Sequence, residues 1–218
     1  MSTAREKGSG VQFVSVATTE ALYERNIEKM KHLGTKELET NRLILRKFEL
    51  SDTEAIYYNW ANDNEVTKYL MWPTHKDISV TSSVLREWVS KYGDDQFYQW
   101  AIVLKSNGND PIGSISIVKM DDSIKMVHVG YCIGKKWWHQ GITSEALSAI
   151  VRFFFEEVEV NRIESRHDPK NPNSGKVMEK CGLIYEGTVK QGDWNNQGIC
   201  DYSMYGLVLE DYKKLFDK

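Results

Sequence analysis

The sequence predicts an α/β (α+β) fold, a mixed sheet flanked by helices, and three observations carry that expectation. Apolar segments occur in the order strand, two helices, three strands, helix, strand, helix, two strands. One apolar run, ending at Ile133, passes through a loop containing Gly141 straight into a helical pattern. The composition is that of a globular chain: of 218 residues, 41% are hydrophobic and 27% charged. That length suits one domain with a sizeable core.

The elements can be justified in order. Residues 1–39 read as an N-terminal extension, possessing a polar, glycine-containing start (Met1 to Gly10). A stretch from Thr18 to His32 suits a charged helix, in which Leu22, Ile27 and Met30 are only loosely patterned. Met30 precedes a segment that reads like a domain start, so the first 29 residues are expected to be an extension or to reflect an upstream start. The main domain is expected over 40–218. Leu43, Leu45 and Phe48, with polar residues between them, predict the first strand. Ser51-Asp52-Thr53-Glu54 reads as a capping box, with Ser51 and Glu54 satisfying each other's backbone N–H groups at a helix start. That helix carries Ile56, Tyr57 and Trp60. A second helix, about Ile78 to Tyr92, puts Val84, Leu85, Trp88 and Val89 near one face.

Three strands follow: Tyr98 to Leu104, Ile112 to Lys119 and Lys125 to Ile133. Asn107-Gly108 marks the first turn and Asp121-Asp122 the second. After Gly141 a helix is expected from about Thr143 to Glu156, then a short strand, Arg162 to Ser165. Asn171-Pro172 opens another helix, because asparagine caps well and proline suits the first helical position. Gly182 ends it as the left-handed residue. Leu183 to Lys190 and Ile199 to Leu209 close the chain as strands. Trp88, Trp100 and the run Phe153-Phe154-Phe155 are expected in the core.

Several function classes are disfavoured. The formal net charge is −3, which argues against a general nucleic-acid binder. The longest apolar runs fall well short of a membrane span, and the N-terminus lacks the apolar centre of a secretory signal. Cys132, Cys181 and Cys200 are odd in number and lack metal-type spacing, so reduced thiols in a cytoplasmic protein are expected, with no metal. Nothing in the sequence separates monomer from homodimer.

The junction around Gly141 is the richest segment chemically. A helix N-terminus presents unpaired backbone N–H groups and a partial positive charge, which suits a phosphate. Four blocks extend that reading. They are Thr40-Asn41-Arg42-Leu43-Ile44-Leu45-Arg46; Gly130-Tyr131-Cys132-Ile133 followed by Trp138 to Ala146; Asn171-Pro172-Asn173-Ser174 with Val177 to Gly182; and Glu186-Gly187 with Asp201 to Leu207. In this order and spacing they resemble the GNAT superfamily (GCN5-related N-acetyltransferases), and in particular its branch of ribosomal-protein N-terminal (alanine/serine) acetyltransferases. The resemblance covers about Thr40 to Asp211. It departs from the usual family pattern at His139 and Thr143, where small residues are common, and at Trp138.

The resemblance implies a mostly antiparallel sheet, splayed at the coenzyme-binding strand, and acetyl-CoA as co-substrate. Backbone groups of Tyr131, Cys132 and Ile133 would pair with the pantetheine arm, and one N–H there would polarise the thioester carbonyl. His139, Gln140, Gly141, Ile142, Thr143 and Ser144 would cradle the pyrophosphate through backbone N–H groups. Asn171 is a helix cap, a coenzyme contact, or both. Ser174 is either the hydrogen-bond partner of the departing thiolate or a capping serine. His128 stands where many relatives carry a glutamate; it is either the base for the acceptor ammonium or a packed histidine. Tyr69, Trp72 and His75 fall in the region that shapes the acceptor pocket, or else form an apolar lid. Cys132 has no activating neighbour in sequence, so a covalent acetyl-cysteine is not expected. His167-Asp168 is expected to form the turn before the Asn171 helix. The implied activity is direct acetyl transfer to a primary amine in a ternary complex. The acceptor would be a protein N-terminus or a small amine (polyamine, amino acid or antibiotic). A non-catalytic acyl-CoA sensor is the competing class.

Overall fold

A computed structural model of the chain describes residues 29–216. Most of the expected helix from Thr18 to His32, and the extension before residue 29, lie outside the described residues; residues 29–32 carry no helix. Eight strands form one sheet: β1 (Leu38–Glu39), β2 (Leu43–Arg46), β3 (Gln99–Leu104), β4 (Pro111–Asp121), β5 (Met126–Ile133), β6 (Arg162–His167), β7 (Ile184–Asn195) and β8 (Gly198–Val208). Their spatial order is β1-β2-β3-β4-β5-β6-β8-β7. Every pairing is antiparallel except β5 with β6, which is parallel. This is the mixed, mostly antiparallel sheet the sequence implied.

The helices are α1 (Thr53–Ile56), entered through a 3-10 turn at Leu50–Asp52 and continued by a π turn at Tyr57–Ala61, then α2 (Asn64–Thr67) and α3 (Ile78–Lys91). They are followed by α4 (Ile142–Phe153), prolonged by a π turn at Phe154–Val158, α5 (Pro172–Lys180) and α6 (Leu209–Phe216). Alternate residues of a strand face opposite sides of a sheet, and β3 uses both. Trp100 and Ile102 enter one core, which includes Val127, Val129, Ala146, Ile150 and Phe154. Ala101 and Val103 enter a second, with Phe48, Ile56, Trp60 and Leu85. Burial on both faces explains why β3 reads as an unbroken apolar run.

The structure corrects the helix start. The capping box is formed by Glu49 and Asp52, not by Ser51 and Glu54: Asp52 accepts from the Glu49 N–H at 2.8 Å. Asp52 is drawn there by a buried bidentate pair with Arg46, 2.8 Å to each terminal nitrogen. Asn171 stands at the N-cap of α5 with Pro172 at the first helical position, but its side chain makes no capping bond. Gly182 follows α5 at φ +88°. The strand β1 and the helices α2 and α6 had no counterpart in the sequence reading. Residues 30–39 run along the start of the sheet, ending in the edge strand β1, which pairs with β2. Met30 is buried, the Thr35 hydroxyl bridges the Phe97 carbonyl and the Gln99 N–H, and the Trp100 indole donates to the Lys36 carbonyl.

Candidate active site

Strands β5 and β6 pair only through Met126–His128 and Arg162–Glu164. The Ser165 hydroxyl then takes the Val129 carbonyl at 2.8 Å. From Gly130 onward the β6 side of β5 has no strand beside it, so backbone polar groups face a gap. A cavity of about 390 Å³ lies here, between the end of β5, the N-termini of α4 and α5, and the segment after α2. Its walls include Tyr69, Tyr131, Cys132, Ile133, His139, Gly141, Ile142, Thr143, Ser144, Asn171 and Ser174. Gln140, Trp72, His75 and His128 are not on its walls. The Gln140 side-chain amide donates to the Lys136 carbonyl. Trp72 and His75 stack on each other at 5.3 Å, and His75 Nδ1 pairs with the Thr81 hydroxyl at 2.8 Å.

The N-terminus of α4 is built to leave its donors free. Gly141 is its N-cap at φ +73°, and no side chain caps the helix. The first helical bond runs from the Glu145 N–H to the Gly141 carbonyl. The N–H groups of Ile142, Thr143 and Ser144 are therefore the orphan donors every helix start carries, and all three residues line the cavity. His139 is also left-handed, at φ +60°; such alternation turns successive N–H groups into an anion-binding concavity. Arg42 braces the loop, donating to Glu145 at 2.6 Å and to the Gln140 carbonyl at 3.0 Å. Burial works against the Glu145 carboxylate, yet its bonds from Thr40 and Arg42 prevail and hold it below the usual range. Lys176 and Lys180, one turn apart on α5, reach the same cavity. The sequence reading missed them, although an i, i+4 pair of lysines on the helix opening at Asn171 was visible.

At the inner end, the Tyr131 hydroxyl lies 2.9 Å from the Ser174 carbonyl and 3.0 Å from its Oγ. A carbonyl only accepts, so the phenol donates to it and the Ser174 hydroxyl donates to the phenol oxygen. Burial raises the Tyr131 pKa well above the ordinary tyrosine value, so this phenol stays neutral. Burial also pushes the Cys132 thiol up, against the opposing bonds from Ser114. A protonated thiol of this kind is a poor nucleophile.

His128 sits on the sheet face opposite α4, buried, with Nδ1 3.1 Å from Glu164 Oε1. Burial lowers its pKa, with the Glu164 carboxylate pulling the other way. Burial likewise lowers His75. His167 Nδ1 bonds the Asp168 carbonyl, and the Asn171 N–H donates to that same oxygen, so His167-Asp168 does form the turn before α5. Among the described residues no group of three or more His, Cys, Asp or Glu side chains is arranged to hold a metal, and no helix is long and apolar enough to cross a membrane.

A splayed strand pair, an uncapped helix N-terminus and two lysines surround one slot. Residues 42–184 match the family described as "Acetyltransferase (GNAT) domain". The chain belongs to the GNAT family and is an acetyl-CoA-dependent N-acetyltransferase. An uncharacterised N-acetyltransferase, p20, of Bacillus licheniformis is 27% identical, over 80% of this chain and 97% of its own length. A ribosomal-protein-serine acetyltransferase of Escherichia coli (strain K12) is 29% identical over 45% of this chain and 55% of its own. The crystal structure of a GNAT-family acetyltransferase from Bacillus anthracis superposes with a TM-score of 0.71 at 26% identity, covering 80% of this chain and 99% of that one.

Proposed function

We propose that the acetyl group passes directly, in a ternary complex, to a primary amine at the end of a peptide chain, a protein N-terminus. Acetyl-CoA supplies the activated thioester; the chain's own residues bind, orient and move protons around it. The first-turn N–H groups of α4, with Lys176 and Lys180, hold the phosphates. The free edge of β5 takes the pantetheine arm, and one of its N–H groups polarises the thioester carbonyl. His128 takes the acceptor's proton, its lowered pKa keeping it neutral at pH 7. Ser174, turning from Tyr131, donates to the departing thiolate.

The observation carrying the choice of acceptor is a strap. Asn196, between β7 and β8, donates to the Thr67 and Trp72 carbonyls at 2.9 and 2.8 Å and through its N–H to the Leu70 carbonyl at 3.2 Å. Leu70 and Tyr69 are on the cavity wall. A bridge beside the cavity wall narrows the approach on that side, which favours an amine at a chain end over a lysine in mid-chain, whose flanking residues must leave on both sides. The relative named for ribosomal-protein serine acetylation supports a protein acceptor.

Thiol release from acetyl-CoA tests this with a panel of free N-terminal peptides, N-blocked peptides carrying one internal lysine, polyamines, amino acids and amine antibiotics. Free N-terminal peptides are expected to have the highest kcat/KM, and N-blocked lysine peptides none. A small amine outrunning every peptide would overturn the acceptor, and coenzyme binding without acceptor-dependent thiol across the panel would overturn catalysis. A hydrogen bond to a charged group is worth about 1.5–3 kcal/mol. Ser174→Ala is accordingly expected to lower kcat by roughly ten- to a hundredfold while leaving KM for acetyl-CoA nearly unchanged; an unaltered kcat would remove Ser174 from the thiolate.

A further inference from the structure

Four side chains on the face of the sheet opposite α4 form a single file that the chemistry above uses only at its first member. His128 on β5 contacts Glu164 on β6, with 3.1 Å between Nδ1 and Oε1. The other Glu164 oxygen accepts from Arg162 Nε at 3.2 Å. The Arg162 terminal nitrogens then meet Glu186 on β7 in a two-pronged pair, at 2.8 and 2.5 Å. This pair lies flat over Gly206 of β8: a Cβ there would come within 2.7 Å of both terminal nitrogens of Arg162 and would run into Glu186. Only glycine leaves room for the pair against the sheet at that position.

We propose that Glu164, braced by Arg162 and Glu186 over Gly206, is a positioning residue that holds His128 in the tautomer able to accept the acceptor's proton. This rests on the reading of His128 as base. A carboxylate oxygen only accepts, so Nδ1 carries the hydrogen and Nε2 carries the lone pair. Among the described residues the ring's only hydrogen bond is to Glu164. The acceptor ammonium gives its proton to Nε2 and its freed lone pair attacks the thioester carbonyl carbon. The C–S bond then breaks, the sulfur leaves as thiolate and takes the second proton of the attacking nitrogen, and the imidazolium formed is offset by the carboxylate beside it. The other charged groups facing His128 are Lys119 on β4 and Arg166 on β6, both opposing its protonation. Arg166 is turned aside by Asp193, at 2.9 Å, and lies over the Tyr202 ring. Glu164 is therefore the group left to hold the imidazole. The base must be oriented by a third group for the same reason in other His-dependent enzymes, where the wrong tautomer is inactive. The sequence did not disclose this pairing, because Glu164 lies 36 residues from His128 and meets it only through the parallel β5–β6 register.

The test combines long-range 15N–1H NMR of the histidine rings in the full chain with kinetics against the best acceptor from the panel. Wild-type His128 is expected as the Nδ1–H tautomer. In Glu164→Ala the Nε2–H form should grow, kcat should fall by about tenfold or more, and KM for acetyl-CoA should hold. The acid limb of kcat/KM should move to lower pH, since the carboxylate that opposes burial is gone. Glu164→Gln, which can still accept from Nδ1, should recover part of the tautomer but not the position of the limb. Gly206→Ala should shift both readouts in the same direction without touching either residue, and it serves if Glu164→Ala fails to fold. An unchanged tautomer and limb in Glu164→Ala, with His128→Ala inactive, would overturn the positioning role and leave the base standing. A shifted tautomer with His128→Ala fully active would instead overturn the base.

Discussion

His128→Ala is expected to lower kcat by about a hundredfold or more, the usual yield of a positioned general base. The variant should also lose the acid limb that His128 places on the kcat/KM profile. Burial puts this imidazole below the ordinary histidine value of about 6.5. The enzyme should therefore keep its activity as pH falls to that value and lose it only lower, as Nε2 becomes protonated. Stability follows the same sign. Between the unfolded value and the lowered folded one, the unfolded chain binds a proton that the folded chain does not, so stability falls as pH falls through that window. His128→Ala should remove this contribution, so chemical denaturation at several pH values provides a check independent of turnover. Full turnover of the variant across pH would eliminate His128 as the base.

The parts of the site that could be read in the sequence are those made from consecutive residues. The β5–Gly141–α4 passage needs only an apolar run, a residue that tolerates φ +73° and a helical pattern, all within one stretch of chain. Asn171 to Ser174 was visible on the same grounds. What escaped notice depends on pairing across the sheet. The gap after Val129 exists because β6 diverges; neither strand alone announces it, and it is expected only through the family resemblance. Gln140 enters the expected cradle only through its backbone N–H; its side-chain amide donates to the Lys136 carbonyl, a local bond that does not engage that N–H. Trp72 and His75 stand with Tyr69 in sequence, but the chain turns after Leu70, so that Tyr69 lines the cavity while the two rings pack on each other and near Thr81. The capping box moved from Ser51–Glu54 to Glu49–Asp52 because a tertiary partner, Arg46, fixed Asp52 first.

That partner marks the second large effect expected. Asp52→Ala should destabilise the chain by about 3–5 kcal/mol, because it leaves the buried Arg46 guanidinium without its countercharge. At roughly 2–4 °C per kcal/mol for a domain of this size, the Tm should fall by about 10 °C. The pair joins three elements: Arg46 ends β2, Asp52 opens the α1 region, and Arg46 also donates to the Asn109 carbonyl in the β3–β4 connection at 2.7 Å. The double substitution Arg46→Met with Asp52→Leu separates the two possible sources of the loss. If the cost is that of an abandoned charge, an apolar pair of similar volume should restore most of it. Restoration should be incomplete, since the Glu49 N–H loses the acceptor it has in Asp52. Neither residue lines the cavity at the end of β5. At temperatures where Asp52→Ala is fully folded, its kcat and its KM for acetyl-CoA should therefore stay within about twofold of wild type, the small effect typical of a site remote from the chemistry. A single variant within about 1 kcal/mol of wild type would place this ion pair among the weak surface kind, despite its burial. A loss of kcat in fully folded Asp52→Ala would mean that the α1 region transmits to the catalytic face.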